Sequence, residues 1–282
     1  MKNKFVILGD KGQLGTALTE LLTMRKMDFI GLDYQEIDFM HPETFVRQIE
    51  THKPSVLINC AAYTNVYKAE EDRSTAMQIN ALALKDLAEI CNRLNIYLVH
   101  ISTDYVFSGN KGSAYVETDA PDPVNFYGIT KYAGEMIVRQ YANNYAIVRT
   151  AALYGESILN SVNIVKKLIE LAKNNQTVKL VKDEYTSPTY AGNLAEQLLL
   201  IIEKKLEGII HASSEGRCNW VEFGKEIFNE IGLDVKIEEV NGNYFNNICQ
   251  KPEFSAMLNG ILNKNNLNIM NAWNININKY IK

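Results

Sequence analysis

Short, largely apolar runs separated by longer stretches of helical periodicity dominate the chain as far as Thr150. Phe5–Leu8, Phe29–Leu32, Val56–Cys60, Tyr97–Ile101 and Ala146–Val148 are the apolar runs. Segments of that length without polar alternation read as strands buried on both faces. Between them, Gln13–Met24 places Leu14, Leu18, Leu21 and Leu22 on one helical face, and helices are expected near 42–51, 74–94 and 127–142. Regular strand–helix alternation predicts an α/β fold, a Rossmann-type doubly wound parallel sheet with helices on both sides.

Beyond Thr150 the pattern loosens. A helix at 161–174, a strand at Val178–Val181, a helix at 190–203 opened by Ser187-Pro188-Thr189, and a strand at Ile209–Ala212 are expected. A Trp220–Ile231 helix and a Val235–Val240 strand follow. We read 1–150 as the main domain and 151–282 as a smaller mixed α/β lobe, with about 189–203 returning to pack on the main sheet. The Asn-rich stretch from Asn259 to Asn278 retains Leu262, Leu267, Ile269, Trp273, Ile275 and Ile277, so it is expected to fold.

Composition removes several function classes. A formal net charge of −4, with no basic cluster carrying interleaved aromatics, argues against a nucleic-acid surface. Cys60, Cys91, Cys218 and Cys249 are scattered without a Cys-x-x-Cys pair, so reduced thiols are expected, and neither a metal site nor a disulfide framework. The apolar run after the opening Met1-Lys2-Asn3-Lys4 stops at Gly9-Asp10, too short for a secretory core, and no later stretch could span a bilayer. The expectation is a soluble, cytoplasmic protein without a membrane partner.

Three features carry chemistry. Gly9-Asp-Lys-Gly12-Gln-Leu-Gly15 lies between the first strand and the first helix. Glycines there permit a tight turn and a close backbone approach to a pyrophosphate at the helix N-terminus, which makes 1–150 a dinucleotide-binding domain. Asp33, at the end of the second strand, is placed to take the adenosine ribose hydroxyls and to disfavour a 2′-phosphate, pointing to NADH. Lys11 and Arg25 keep NADPH open as the alternative cofactor. Asp38-Phe39 pairs an acceptor with an apolar wall for an adenine.

Tyr127 and Lys131 are four residues apart on an expected helix and so share one face. An ammonium beside a phenol stabilises the phenolate and lowers a pKa that starts near ~10, allowing proton transfer near neutrality. Thr103 ends a parallel strand, where α/β sheets place ligands, and its hydroxyl can bond the carbonyl oxygen that Tyr127 would protonate.

With these residues together the chain resembles the extended short-chain dehydrogenase/reductase family, and within it the enzymes that reduce nucleotide-linked 4-keto sugars. The likeness runs nearly end to end. It includes Asn59-Cys-Ala-Ala-Tyr-Thr64, Lys68-Ala-Glu70, Ile79-Asn80-Ala81, Ser102-Thr-Asp-Tyr-Val-Phe107, Tyr127-Gly-Ile-Thr-Lys131, Ser187-Pro-Thr-Tyr190 and Lys251-Pro252 before Ser255. It implies Thr103, Tyr127 and Lys131 as catalytic residues, with Tyr127 and Lys131 also touching the cofactor. Gly9, Gly12, Gln13, Leu14, Gly15, Asp33, Asp38, Phe39, Ala62, Tyr63 and Thr64 would line that cofactor. Asp104 and Tyr105 would face the sugar, with Asn163 on the substrate side.

The implied reaction is NADH- or NADPH-dependent reduction at C4 of a nucleotide-linked 4-keto-6-deoxy hexose, its phosphates and base gripped by the 151–282 lobe, without a metal. A homodimer is an assembly the resemblance leaves open. Two departures bear on the sugar: Tyr67 stands where the family has Asp, and Ala151-Ala152 where it has Ser-Trp. Nucleotide-sugar dehydratases place a second carboxylate after the strand-end Asp, and Tyr105 cannot serve as one. A 4-epimerase and a cofactor-binding subunit without activity are the alternatives.

Overall fold

Alternate residues of each central strand fill two different cores, and that alternation organises the molecule. The computed structural model describes residues 4–159, 163–174, 177–245 and 248–282. The main sheet contains β1 (Lys4–Leu8), β2 (Asp28–Leu32), β3 (Val56–Asn59), β4 (Tyr97–Thr103), β5 (Tyr145–Thr150) and a late strand, Gly208–His211. Every pairing is parallel, and the spatial order is late strand, β5, β4, β3, β1, β2. Winding reverses between β1 and β3, so a crevice opens beyond their C-terminal ends, where such sheets bind ligands.

Phe5, Ile7, Val56, Ile58, Val99 and Val148 face one core, while Val6, Leu8, Leu57, Leu98 and Ile147 face the other. Six helices accompany these strands: α1 (Gln13–Met24), α2 (Glu43–His52), α3 (Val66–Glu71), α4 (Arg73–Met77), α5 (Leu84–Arg93) and α6 (Phe126–Tyr141). β4 runs two residues past its expected end, because Ser102 and Thr103 still pair with Arg149 and Thr150 of β5.

The single helix expected at 74–94 is instead α4, a π-helical turn over Gln78–Leu82, and α5. Asn80 explains the break. Its side chain accepts from the Tyr63 N–H at 2.8 Å, donates to the Tyr63 carbonyl at 3.1 Å and reaches Thr130 Oγ1 at 3.0 Å. A π turn is the device that aims one helical residue at a site.

The lobe adds β6 (Leu153–Tyr154), α7 (Ile164–Asn174), β7 (Thr177–Val181), β8 (Tyr185–Thr186), β9 (Thr189–Tyr190), α8 (Ala191–Lys204) and β10, the late strand Gly208–His211. β11 (Cys218–Asn219), α9 (Trp220–Glu230), β12 (Lys236–Val240), α10 (Gly260–Lys264) and α11 (Trp273–Ile281) complete it. Of the helix expected at 161–174, residues 161 and 162 lie outside the described residues. Three two-stranded pairings, β7 with β12, β8 with β11 and β6 with β9, flank a core of Tyr154, Leu168, Phe223, Ile227 and Ile277. α8 packs on α1, and β10 pairs with β5 in the main sheet. The Asn-rich stretch is ordered, its amides serving as internal bonds: Asn193 Oδ1 accepts from the Asn271 N–H at 2.8 Å, and Asn259 Nδ2 donates to the Ser213 carbonyl at 2.9 Å. Among the described residues no helix is long and apolar enough to cross a membrane.

Candidate active site

The glycine loop joins β1 to α1, and each of its glycines answers a different demand. Gly9 has φ +79°, and a Cβ there would stand 2.9 Å from the Ala61 nitrogen at the end of β3. Gly15 is held tighter, since a Cβ would fall 2.1 Å from the Gly9 carbonyl oxygen. Gly12 is unlike both. Its φ of −71° suits any residue, and a Cβ would meet nothing nearer than the Gly9 oxygen at 3.5 Å.

The protein itself therefore does not require glycine at position 12. Space is kept there for something external at the N-terminus of α1, a helix end that no side chain caps. Such a cradle fits a dinucleotide pyrophosphate. Gly12→Ala is expected to leave folding stability within about 0.5 kcal/mol while weakening dinucleotide binding roughly tenfold. Gly15→Ala should cost about 3 kcal/mol of stability by overpacking. Fluorescence titration with NADPH and urea denaturation separate the two, and unchanged affinity in Gly12→Ala would refute the cradle.

Asp33 ends β2 beside this loop. Its carboxylate accepts the Lys11 N–H at 3.1 Å and the Tyr34 N–H at 2.6 Å, while Lys11 Nζ bonds Gln35 at 3.1 Å. Asp38 is exposed and caps the Met40 N–H at 2.8 Å. The Phe39 ring beside it lies mostly in the core. It is 6% exposed and packs 5.2 Å from Phe45 within the core, where burial of its full area is worth more than a half-wet contact. Ala62, Tyr63 and Thr64 follow β3, with the Tyr63 main chain pinned in both directions by Asn80.

The α6 end of the cleft is assembled with equal economy. Asn125 caps the helix by accepting the Gly128 N–H at 2.8 Å, and Glu70 takes the Phe126 N–H at 2.8 Å. A Cβ on Gly128 would lie 2.2 Å from the Tyr105 carbonyl, so glycine there brings the first turn of α6 against the end of β4. Tyr127 and Tyr105 consequently meet edge to face, centroids 5.9 Å apart. Lys131 is 2% exposed and donates from Nζ to the Ile101 carbonyl at 2.7 Å.

The electrostatics differ from the sequence-based expectation. Burial pushes the Tyr127 phenol up to about 12; a hydrogen bond with Thr103 opposes that shift and the charge of Asp104 adds to it. Burial draws Lys131 down to about 8, with Glu135 and Cys60 working to keep it protonated. Desolvation of the phenolate thus outweighs any help from the ammonium. The consequence is a tyrosine that carries its proton throughout the neutral range.

Thr103 sits at the end of β4. Its hydroxyl donates to Asp104 Oδ1 at 3.1 Å, and its oxygen accepts the Tyr105 N–H at 3.2 Å. Asp104 is 2% exposed, with its carboxylate turned into the protein. Asn163 is likewise engaged internally: its amide donates to the Gly155 carbonyl and the Tyr280 hydroxyl, and its oxygen caps Val165 at 3.0 Å. Ala151 is buried among Val106, Phe107, Tyr115 and Met257, and Ala152 adopts φ +40°.

Sequence reasoning assigned no role to Asn80, Glu135 or Arg149. Arg149 Nε and Nη2 clasp Glu135 at 2.8 and 2.6 Å, both side chains are 0% exposed, and Ser102 Oγ donates to the same carboxylate. The one available signal was the spacing of Glu135, one further turn along the stripe that carries Tyr127 and Lys131.

Comparison with known proteins adds an independent line. Residues 3–282 match the family model described as RmlD substrate binding domain. A dTDP-4-dehydrorhamnose reductase of Aggregatibacter actinomycetemcomitans is 36% identical over 84% of this chain and 82% of its own. A dTDP-4-keto-6-deoxy-D-glucose reductase of Streptomyces niveus is 32% identical over 83% of this chain and 81% of its own. The crystal structure of the Bacillus anthracis dTDP-4-dehydrorhamnose reductase in complex with NADP superposes with a TM-score of 0.95 at 34% identity, covering 100% of this chain and 99% of that one.

Proposed function

This chain belongs to the RmlD substrate binding domain family, and we propose that it is an NADPH- or NADH-dependent reductase of the C4 keto group of a nucleotide-linked 4-keto-6-deoxy hexose, dTDP-4-dehydro-L-rhamnose foremost. The observation that carries this reading is the meeting of Tyr127, Lys131 and the end of β4 beside the glycine loop. Gly9 abuts Ala61 at the end of β3, and the adjacent Cys60 thiol is electrostatically coupled to Lys131. The names of the relatives agree with it, since each is a reductase of a dTDP-linked keto sugar.

When bound, the nicotinamide supplies the hydride to the carbonyl carbon. The chain's own residues supply the rest. Tyr127, protonated well past neutrality, delivers a proton to the oxygen as it becomes an alkoxide. Lys131, anchored on Ile101, is cationic at neutral pH and takes the ribose next to the reacting ring. Thr103, bonded to Asp104 at the strand end, would orient the carbonyl. Gly9, Gly12 and Gly15 with the α1 N-terminus would hold the pyrophosphate, and Asp33 with Lys11 the adenosine end.

The test is consumption of NADPH and NADH by the purified protein with dTDP-4-dehydro-L-rhamnose and a panel of related 4-keto sugars. One equivalent of cofactor oxidised per sugar is expected; a 4-epimerase would recycle its cofactor, and no oxidation with any sugar would refute the reading. The panel matters because Ala151-Ala152 stand beside the strand end. We also propose a cytoplasmic location, supported by four free thiols, and a homodimer, to be read by sedimentation equilibrium.

A further inference from the structure

Three hydroxyls from separate parts of the chain converge on the buried carboxylate of Asp104. Thr103 Oγ1, at the end of β4, donates to its Oδ1 at 3.1 Å; Thr186 Oγ1 in β8 donates to Oδ2 at 3.2 Å, and Ser255 Oγ donates to the same oxygen. β8 and the Ser255 segment are themselves joined, the Ser255 N–H donating to the Tyr185 carbonyl at 2.8 Å and the Tyr185 N–H to the Glu253 carbonyl at 2.7 Å.

Such a carboxylate is a costly thing to bury. Burial raises its pKa to about 6 against the pull of its hydrogen bonds, and no cation is among the groups that act on it. Stability alone would be served as well by an apolar residue of the same volume. A hydroxyl has one proton and two lone pairs. With Asp104 ionised, all three protons turn inward and Thr103 presents its lone pairs outward. One receives the Tyr105 N–H, and the Tyr105 and Tyr127 rings meet edge to face beside it, centroids 5.9 Å apart.

We propose that Asp104 is a positioning residue: it sets the Thr103 hydroxyl at the strand end beside Tyr127, and it does so with the β8–Ser255 unit of the lobe docked on that strand end. The proposal rests on the reductase reading above. The three hydroxyls and the Asp104 main-chain N–H match the roughly four lone-pair sites of a carboxylate. A proton on Asp104 therefore displaces one donor; the main chain is fixed, a hydroxyl must turn, and the orientation of Thr103 is no longer held. The titratable groups facing this cluster are Tyr105 on the same turn and Tyr127 on α6, with Glu184 and Cys249 acting on Tyr105. Among the described residues of the lobe Thr186 and Ser255 bond it, and neither titrates in the working range.

The test is the pH profile of kcat for wild type, Asp104→Asn and Ser255→Ala, with thermal melting and cofactor titration alongside. Wild type should lose activity on the acid side with an apparent pKa near 6. Asp104→Asn cannot ionise, so it should lack that limb, bind cofactor as wild type does, and have a kcat lower on the order of 10²-fold at neutral pH. Ser255→Ala removes a bond to the charged form and should move the limb to higher pH. A limb retained by Asp104→Asn, or left in place by Ser255→Ala, overturns the proposal even where both variants melt early, since a purely structural loss lowers kcat without moving the limb. A wild type inactive on every sugar overturns the reductase reading and this proposal with it; an active wild type with immovable limbs overturns this proposal alone.

Discussion

Tyr127→Phe should bind dinucleotide as wild type does and reduce the keto sugar more slowly by on the order of 10²–10⁴-fold. The substitution removes one oxygen and little else. The ring of residue 127 meets Tyr105 edge to face at 5.9 Å and 76°, a packing that phenylalanine retains. What disappears is the phenolic proton that acts with Thr103 at the end of β4. Because burial holds the phenol at about 12, the wild-type residue is protonated across the neutral range, the state a reduction needs at its start. NADPH oxidation at saturating sugar measures the rate, and quenching of cofactor fluorescence measures binding. A near-wild-type kcat would remove Tyr127 as proton donor; a matched loss of cofactor affinity would instead make it a binding residue.

Arg149→Met should have the largest effect on stability, about 3–5 kcal/mol. Arg149 and Glu135 are 0% exposed and joined by two hydrogen bonds of 2.8 and 2.6 Å; Ser102 donates to the same carboxylate and Arg149 lies 5.1 Å over the Phe107 ring. Removing the guanidinium leaves a buried carboxylate without the cation that clasps it, Lys131 then being the remaining positive group acting on it, and that is the expensive way to break a buried pair. Replacing both partners, Glu135→Leu with Arg149→Met, should recover most of the loss, because the penalty belongs to the orphaned charge and not to missing volume. Urea denaturation of the two single variants and the double variant gives the cycle. Single variants within about 1 kcal/mol of wild type would show that the pair contributes little, as exposed pairs do.

Much of the fold was legible because parallel strands covered on both faces leave continuous apolar runs, and those runs name β1 to β5 directly. The glycine loop was legible for a similar local reason: its glycines, strand and helix are contiguous. The break within 74–94 was not legible. It depends on Asn80 finding Tyr63, 17 residues away, and Thr130, 50 residues away. The packing of Phe39 was not legible either, because an aromatic next to an acidic residue in a loop carries no local sign of its neighbour Phe45.

By itself the sequence determined the layering of the main sheet, the place of the glycine loop between β1 and α1, and the stripe that puts Tyr127 and Lys131 on one helical face. Each follows from periodicity or from adjacent residues, which local physics controls. The tertiary structure decided the electrostatics. It turned the expected low-pKa tyrosine into a firmly protonated one, since the desolvation of Tyr127 is set by what packs over it. It also paired Glu135 with Arg149, and it gave Asp104 partners 82 and 151 residues away. Burial and charge neighbours are properties of the assembled interior, and no spacing along the chain encodes them.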